Sequence, residues 1–412
     1  MIKYPEKLIP IFYKLTQNNI KPIIVGGYIR DSILNIPSKD IDVELYNIAS
    51  LVILKDLLSE FGNLNQVGKS FGVSKLNIDN LEIDFSLPRE DSKISNGHKG
   101  FKITTNKNLD FKTAASRRDF TINSIGYDIN KQKILDPFFG IKDIKSRTLK
   151  AVNLDKFDED PLRALRAIQF CARFQLTVDK ELLDKLRFMF KTKLITQLPK
   201  ERIFDEIQKL LLKSDKPSIG FKLLKDINGF LFFDEFNNSN YENIFLQVDF
   251  YSCIKTDIKK LNLIIMLTLI SSNLEKNVQN SFINKLTNDK TIIIGVRELL
   301  ACQNCINFDK DLKNYDIYKL STKINIRYLS LFLQAKFLGK KNHFISKLIK
   351  ISIDLGVYEK KAKALIEGKD LIKLGLSPSK EFSYILKRSY EAQMKYDFRT
   401  KKEAISWLKN NL

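Results

Sequence analysis

IIVGGYIRDSILNIPSKDIDVELY, residues 23–46, is the segment that indicates the fold most clearly. An apolar run typical of a buried strand ends in two adjacent glycines, and a short segment with an Arg-Asp pair follows. Carboxylates then alternate with apolar residues at Asp40, Asp42 and Glu44. Side chains two residues apart share one face of a strand. These acids therefore repel one another unless a cation neutralises their charges.

Clustered carboxylates with few other ligands nearby suit Mg²⁺, a hard cation that prefers oxygen. Asp40 and Asp42 are therefore candidate metal ligands, although a solvated strand edge is the alternative for such a pair. A third acid on a neighbouring strand would complete a site for displacement at phosphorus, and the segment LEIDFSL offers Glu82 and Asp84. We interpret Glu44 as a surface residue.

The two glycines at the end of the first strand predict a phosphate-binding turn. Gly26 and Gly27 lack a Cβ atom, so their backbone N–H groups can approach phosphate oxygens closely. Arg30 lies one helical step beyond them, where it is placed to reach a triphosphate.

The composition indicates a soluble protein with a polyanionic partner. The chain has 412 residues, 44% of them hydrophobic, which suits two to four globular domains. It carries 69 Lys and Arg against 48 Asp and Glu, a net charge of +21, and nucleic acid is the leading candidate partner. A general enrichment in lysine is the alternative. Residues 341–412 alone hold sixteen basic and eight acidic residues.

Nothing in the sequence indicates a membrane protein or a zinc site. The N-terminus is interrupted by charges and is not a signal peptide. The longest apolar run, LNLIIMLTLI at 261–270, is about half of a bilayer-spanning length and predicts a buried helix. We expect reduced core thiols in the cytoplasm at Cys171, Cys253, Cys302 and Cys305.

The apolar periodicity changes near residue 150. Before it, alternation predicts strands, and helices are expected at 31–34 and 50–62. After it we expect no strands, because apolar residues recur at three- and four-residue spacing. The predicted strand segments are 21–27, 39–46, 73–87 and 122–138.

The order of the motifs resembles one enzyme family. GGYIRD…KDIDVE resembles the head of class II nucleotidyltransferases of the polymerase-β superfamily, which comprise CCA-adding tRNA nucleotidyltransferases and bacterial poly(A) polymerases. Further motifs resemble that family in the same order. They are RRDFTINSIGYD (117–128), DPFFGIKDI (136–144), EDPLRALRAIQFCARF (159–174) and ERIFDEI (201–207).

The resemblance implies an α+β fold, with a polymerase-β-like head of mixed sheet and helices followed by an elongated all-α remainder. The expected domains are the nucleotidyltransferase head at 1–145, a helical neck with the base-recognition motif at 146–220, a helical body at 221–340 and a basic, tRNA-binding helical tail at 341–412. No protein partner is evident.

The resemblance also implies the reaction. The 3′-hydroxyl of tRNA would attack the α-phosphorus of CTP or ATP, and pyrophosphate would leave. Asp40 and Asp42 would hold Mg²⁺. We choose Asp84 over Glu82 as the third acid, because it precedes Arg89 by five residues, as in similar enzymes.

By the same resemblance, Arg118 contacts the nucleotide, while Asp119 and Asn123 brace the pocket or the ribose. The alternative is that Arg117 and Arg118 pair with Asp119 as a structural salt bridge. Arg166 would contact the phosphates or the base.

The pair Asp160 and Arg163 predicts how a base is chosen without a template. A carboxylate accepts and a guanidinium donates, so the pair matches the amino group and ring acceptor of cytosine or adenine. Guanine and uracil present a carbonyl to the carboxylate instead, which leaves buried groups unpaired. A helix N-cap is the alternative role of Asp160. Many relatives carry arginine where this chain has Gln169, and Arg173 is a candidate substitute.

Full CCA addition is the leading function. The segment VGKSFGVSKL at 67–76 resembles the tRNA enzymes, and the polar segment between Asp84 and Arg117 is not visibly shortened. CC-only addition, A-only addition and poly(A) addition are the alternatives among enzymes. A non-catalytic RNA-binding protein on a decayed nucleotidyltransferase head is the alternative of another class.

Overall fold

The computed structural model describes residues 2–67, 73–93, 101–105, 109–236, 241–303, 308 and 312–411 of the chain. The alternating apolar segments form strands. The strands are β1 (Lys21–Val25), β2 (Asp40–Tyr46), β3 (Leu64–Val67), β4 (Val73–Ile78), β5 (Leu81–Ser86), β6 (Arg89–Lys93), β7 (Phe101–Thr105), β8 (Gly126–Asp128), β9 (Lys133–Leu135), β10 (Thr148–Leu149) and β11 (Thr177–Val178).

Seven of these strands form one mixed sheet in the order β3-β4-β5-β2-β1-β8-β9. Strands β2 and β5 are parallel, whereas the other neighbours in this sheet are antiparallel. The acid-bearing strands β2 and β5 are therefore adjacent, as the sequence led us to expect. Strands β6 and β7 form a separate antiparallel ribbon, and β10 pairs with β11 in parallel.

The two faces of strand β2 differ. Ile41 and Val43 are almost completely buried, as are Ile83 and Phe85 on the neighbouring strand β5. The alternate positions of both strands carry the acids. Over Asp40–Val43 burial is one-sided, and it fixes the register there, because a slip by one residue would exchange the two faces.

The N-terminal compact unit, Met1–Asn237, combines the sheets with helices. The predicted helix at 50–62 is wrong as a single element: the structure has three short turns there, at Leu51–Ile53, Leu54–Leu57 and Ser59–Phe61. The helices that the structure describes in this unit are α1 (Ile9–Gln17), α2 (Gly27–Ile33), α3 (Leu54–Leu57), α4 (Phe111–Ala115), α5 (Gly140–Lys145), α6 (Leu162–Phe174), α7 (Lys180–Lys191), α8 (Lys200–Lys213) and α9 (Pro217–Asp226).

The second compact unit, Asn238–Leu412, is helical throughout the part that the structure describes. Its apolar run at 261–270 is buried within α11, which confirms that prediction. The helices are α10 (Glu242–Cys253), α11 (Lys259–Ser271), α12 (Lys276–Leu286), α13 (Lys290–Gln303), α14 (Asn314–Ser321), α15 (Ile326–Lys336), α16 (His343–Asp354), α17 (Gly368–Lys373), α18 (Lys380–Lys395) and α19 (Lys401–Asn411).

The fold class is confirmed: a mixed-sheet head is followed by helices. The expectation of no strands after residue 150 is wrong for β11. Its backbone completes a small ladder, in which the N–H of Thr177 donates to the carbonyl of Arg147 over 2.9 Å. Across the described ranges, no helix is both long and apolar enough to cross a membrane.

The cysteines are not all in the core. Cys171 and Cys302 are buried, but Cys253 is exposed, which contradicts the prediction for that residue. It is the last residue of α10, where its side chain lies outside the packed face of the helix. Cys305 lies outside the described residues.

Candidate active site

The parallel pairing of β2 and β5 gathers the predicted acids on one face of the sheet. Asp42 is the register partner of Asp84, and Asp40 is the partner of Glu82. Asp40 and Asp42 are exposed by area, and Asp84 is half-buried. Desolvation at the base of the cleft raises the pKa of Asp42, Arg118 lowers it, and the charges of Asp84, Asp40 and Glu44 raise it further.

A lysine stands beside two of these acids. Lys75 on β4 hydrogen-bonds to Glu82, and its Nζ lies 3.2 Å from Oδ1 of Asp84. The acid chosen as the third member of the site therefore already has a cationic neighbour. Glu82 is an ion-pair partner of that lysine at the exposed edge of the group.

The residues on this face fit a magnesium ion. Asp40 and Asp42 offer hard oxygen atoms, and the pKa of Asp42 is raised because desolvation and the charges of Asp84, Asp40 and Glu44 outweigh the opposing effect of Arg118. A divalent cation would relieve that repulsion. Within the described ranges, no three His, Cys, Asp or Glu side chains form a closed metal-binding group.

Glu44, predicted to lie at the surface, is completely buried. Its Oε1 accepts hydrogen bonds from Nη2 of Arg118 over 2.9 Å and from Nη2 of Arg117 over 3.2 Å. The hydroxyl of Tyr46 donates to Oε2 over 3.0 Å. Although burial opposes ionisation, Arg118 and Arg117 outweigh it and lower the pKa of Glu44.

The glycine turn leaves space for one arginine of this pair. The N–H of Gly26 donates to the carbonyl of Ile125 over 3.0 Å, so it is not directed at a phosphate, which corrects the prediction for this group. Gly26 has φ +70°, and a Cβ atom there would lie 2.6 Å from Nη1 of Arg118. Gly26 therefore makes room for an arginine, whereas Gly27 begins α2 and lines the cleft.

Arg30 is held more tightly than expected for a group that reaches out to a triphosphate. It is 4% exposed, donates from Nε to Asp31 over 2.8 Å and donates from Nη1 to Asn123 Oδ1 over 2.5 Å. Its guanidinium also stacks over the rings of Phe170 and Phe174. Arg30 lines the cleft as a fixed positive charge.

Asp119 does not pair with the arginines that precede it, so the proposed local salt bridge is wrong. Its Oδ2 accepts Nε of Arg166 over 2.6 Å, and its Oδ1 accepts Nδ2 of Asn123 over 2.9 Å and the N–H of Phe120 over 2.8 Å. Because Asn123 also binds Arg30, one chain of hydrogen bonds joins α6 to α2.

Both members of the predicted base-reading pair lie in the wall of the cleft. Oδ1 of Asp160 also accepts the N–H of Leu162 over 3.1 Å, so this residue does cap the start of α6. Arg163 donates to the backbone carbonyls of Arg117 and Lys156, which orients its guanidinium. Capping and base reading are thus compatible, since the cap uses one carboxylate oxygen.

These residues surround one cleft of about 440 Å³ in the N-terminal unit. Of the predicted site residues, Gly26, Asp40 and Asp84 are not part of its wall. Arg89, Arg117 and Arg202 contribute to it without having been predicted, although Arg202 stands in the quoted motif ERIFDEI. The predicted residues that line the cleft are Gly27, Arg30, Asp42, Arg118, Asp119, Asn123, Asp160, Arg163 and Arg166.

The cleft wall is strongly positive: its described residues include seven arginines against three aspartates. Nε of Arg118 is buried and, within the described part of the chain, has no hydrogen-bond partner. A buried donor without an acceptor is costly, and an anionic ligand in the cleft would supply the missing acceptor.

The departure at Gln169 lies away from the cleft wall. Gln169 is 2% exposed, and its amide nitrogen has no hydrogen-bond partner among the described residues. Arg173, the candidate substitute, has Nη2 3.4 Å from Oδ2 of Asp31 and stacks over Phe174. It therefore supports the Arg30 cluster and is not a residue of the cleft wall.

Comparison with known families places both halves of this unit. Residues 23–150 match the model described as Poly A polymerase head domain. Residues 175–233 match the model described as Probable RNA and SrmB-binding site of polymerase A.

Similar proteins cover different shares of the chain. It is 32% identical over 324 residues to the CCA-adding enzyme of Buchnera aphidicola subsp. Schizaphis graminum, covering 74% of this chain and 70% of that protein. It is 35% identical over 222 residues to the CCA-adding enzyme of Buchnera aphidicola subsp. Baizongia pistaciae, covering 53% of this chain and 50% of that protein. The chain spans about half the length of the latter and of other curated relatives it matches.

Solved structures share the fold along the whole chain. The Bacillus stearothermophilus CCA-adding enzyme, solved in complex with CTP, superposes with a TM-score of 0.75 over 99% of this chain and 98% of that one. The sequence identity is 18%, so this likeness supports the fold.

Proposed function

The chain belongs to the family of CCA-adding enzymes, and we propose that it adds C, C and A from CTP and ATP to the 3′ end of tRNA by Mg²⁺-dependent nucleotidyl transfer. Pyrophosphate is the leaving group. The observation that carries the proposal is that one cleft joins the acid-bearing strand, an arginine-rich wall and the pair Asp160 and Arg163.

The charge of the cleft supports a triphosphate ligand. Among the described residues of its wall, seven arginines against three aspartates leave a formal surplus of four positive charges. Arginine suits this task because its planar guanidinium donates in pairs to phosphate oxygens and stays charged. Arg118, with an unpartnered buried Nε, is the first candidate contact.

The acids of β2 support metal-assisted transfer. Asp40 and Asp42 would hold Mg²⁺, with Asp84 beside them on β5. When bound, the metal activates the attacking 3′-hydroxyl and neutralises the pyrophosphate. The protein itself holds the acids at fixed spacing on adjacent strands, which keeps the site organised before substrate arrives.

The pair at the start of α6 supports selection of C and A. Arg163 is oriented by two backbone carbonyls, and Asp160 is oriented by its bond to the N–H of Leu162. Such fixed groups penalise a base whose edge cannot complete their hydrogen bonds. Uracil and guanine place a carbonyl opposite the carboxylate and would be refused.

The second unit supports RNA binding by its charge. Lys360, Lys361, Lys363 and Lys387 line a cavity of about 650 Å³ near Tyr390. Lysines at such a surface bind phosphates and release counterions, which gives affinity without base specificity. We propose that the basic tail holds tRNA while the 3′ acceptor end enters the cleft of the first unit. The cytoplasmic location stays a prediction.

One assay tests the proposal. The protein is incubated with Mg²⁺ and either tRNA lacking its 3′ end or tRNA ending in CC, together with CTP, ATP, UTP or GTP singly and with CTP plus ATP. Extension by three nucleotides with CTP plus ATP is the expected result. Extension by two cytidines, by adenosine alone after a CC end, or by a long adenosine tail would replace the proposal by the corresponding activity. RNA binding without extension would favour a non-catalytic protein.

A further inference from the structure

Glu44 is a buried carboxylate that the proposed reaction does not use directly. It is completely buried, yet its hydrogen-bond donors among the described residues come from near the cleft: Arg117, Arg118 and Tyr46. Leaving such a charge in the interior is costly unless it is paired, and here two guanidinium groups share one oxygen.

The two arginines share this anchor at the cleft. Both line the cleft, at 19% and 16% side-chain exposure. Consecutive residues with like charge repel each other, and the shared anion offsets that repulsion. Arg118 has one further fixed contact, from Nη1 to the carbonyl of Asn123 over 3.3 Å.

The anchor stands on the metal-site strand itself. Glu44 follows Asp42 by two residues on β2, so their Cα atoms are about 7 Å apart and their side chains share a face. This inference rests on the proposed function: we propose that Glu44 is a positioning residue. It fixes the guanidinium groups of Arg117 and Arg118 relative to Asp42, and thereby fixes the phosphate chain of the incoming nucleotide relative to the metal.

Three variants separate this role from a general contribution to folding. Glu44→Gln keeps an acceptor for the arginines and a group that can bond to the Tyr46 hydroxyl, but removes the charge. Glu44→Leu removes both the hydrogen-bonding group and the charge. Asp128→Asn is the matched control, because Asp128 is an equally buried carboxylate of the same sheet, pairs with Lys21 over 2.9 Å and is absent from the cleft wall.

The measurements are KM and kcat for CTP and ATP, and the dissociation constant of tripolyphosphate by calorimetry. We expect Glu44→Leu to raise KM for both nucleotides about tenfold, with a smaller change in kcat, and Glu44→Gln to raise it about threefold. Tripolyphosphate binding should weaken by the same factors. The KM for tRNA and the discrimination against UTP should not change, and Asp128→Asn should leave all values as in the wild type.

Wild-type KM and wild-type tripolyphosphate binding in both Glu44 variants would overturn the inference. An equal rise of KM in Asp128→Asn would also overturn it, since the effect would then reflect folding. Should Glu44→Leu fail to fold, Glu44→Gln decides the question. If the wild type adds no nucleotide, the proposed function fails, but the tripolyphosphate measurement still tests the position of the arginines.

Discussion

Arg166 donates its Nε to Oδ2 of Asp119 over 2.6 Å, and this bond joins helix α6 to the segment after α4. Asp119 in turn holds Asn123, which binds Arg30. A residue expected to brace the pocket is thus the centre of a network that crosses the unit. The network makes Asp119 a contributor to stability as well as to the site.

Asp119 predicts a pH dependence of folding. Burial opposes its ionisation, but Arg166, Asn123 and the N–H of Phe120 outweigh burial and lower its pKa below the ordinary value. A carboxyl group with a depressed folded-state pKa stabilises the fold above its unfolded value, near 4, and loses that contribution as pH falls through the folded pKa. The free energy of unfolding, measured with urea, should therefore fall between about pH 6 and pH 2.5, and it should fall less in Asp119→Asn than in the wild type.

The prediction is tested by comparing how steeply the free energy of unfolding depends on pH in the two proteins. Asp119→Asn should be less stable than the wild type at neutral pH by about 2–4 kcal/mol, because Arg166 is left without its anion. The difference should shrink on acidification. Parallel pH profiles for the two proteins would contradict it.

Replacing Asp42 should have opposite effects on activity and stability. Its pKa is raised, first by desolvation, so the ionised group is penalised in the folded protein and stability falls as pH rises above the unfolded value. Asp42→Asn should raise the melting temperature of the metal-free protein at neutral pH. The same change should lower nucleotide addition by about a thousandfold or more while tRNA binding persists.

Magnesium provides the control for Asp42. Added Mg²⁺ should raise the melting temperature of the wild type more than that of Asp42→Asn, because a ligand that binds the native state stabilises it. A variant that keeps wild-type addition would remove Asp42 from the reaction.

One pair of variants can separate the helix-capping role of Asp160 from its proposed role in base selection. Asp160→Ala and Asp179→Ala each remove a carboxylate that accepts a backbone N–H at a helix start, Leu162 at 3.1 Å and Leu182 at 3.2 Å. Each should cost about 1 kcal/mol of stability. Only Asp160→Ala should lose discrimination against UTP and GTP, by about ten- to a hundredfold, measured as kcat/KM ratios. Equal base choice in the two variants would reduce Asp160 to a cap.

Gly26 predicts a clash at the nucleotide site. Gly26→Ala would be strained at φ +70° and would place Cβ 2.6 Å from Nη1 of Arg118. Gly356→Ala is the matched control, since Gly356 has φ +67° and an added Cβ there would meet no described atom within 4 Å. Both should lose about 1–2 kcal/mol of stability. Only Gly26→Ala should weaken CTP binding, and equal binding in both would show that Arg118 yields without consequence.

Local patterning was enough to predict the strands β1, β2, β4 and β5. Strands β2, β4 and β5 have alternating apolar residues, and β1 is a short continuous apolar run. The buried helix α11 followed in the same way from its continuous apolar run. The segment at 50–62 buries Leu51, Leu54 and Leu58 at helical spacing, yet it forms three short turns, so its apolar pattern alone did not predict how long the helix is.

The cleft residues were found largely through motifs, and the errors concern their partners. Glu44 has the same spacing as Asp40 and Asp42, so its sequence position could not distinguish an exposed acid from a buried one. The arginines that bury it lie more than seventy residues away. Similarly, Asp119 has two adjacent arginines, yet it pairs with Arg166 on another helix.

Neighbouring residues and composition were enough to establish the alternation of acids on one strand, the order of the motifs and the surplus of positive charge. Only the folded arrangement shows which acid meets a lysine, which meets two arginines and which remains open to the cleft. Those choices depend on parallel pairing and on side chains from distant segments, and the electrostatic energy of a carboxylate is set by what surrounds it in space.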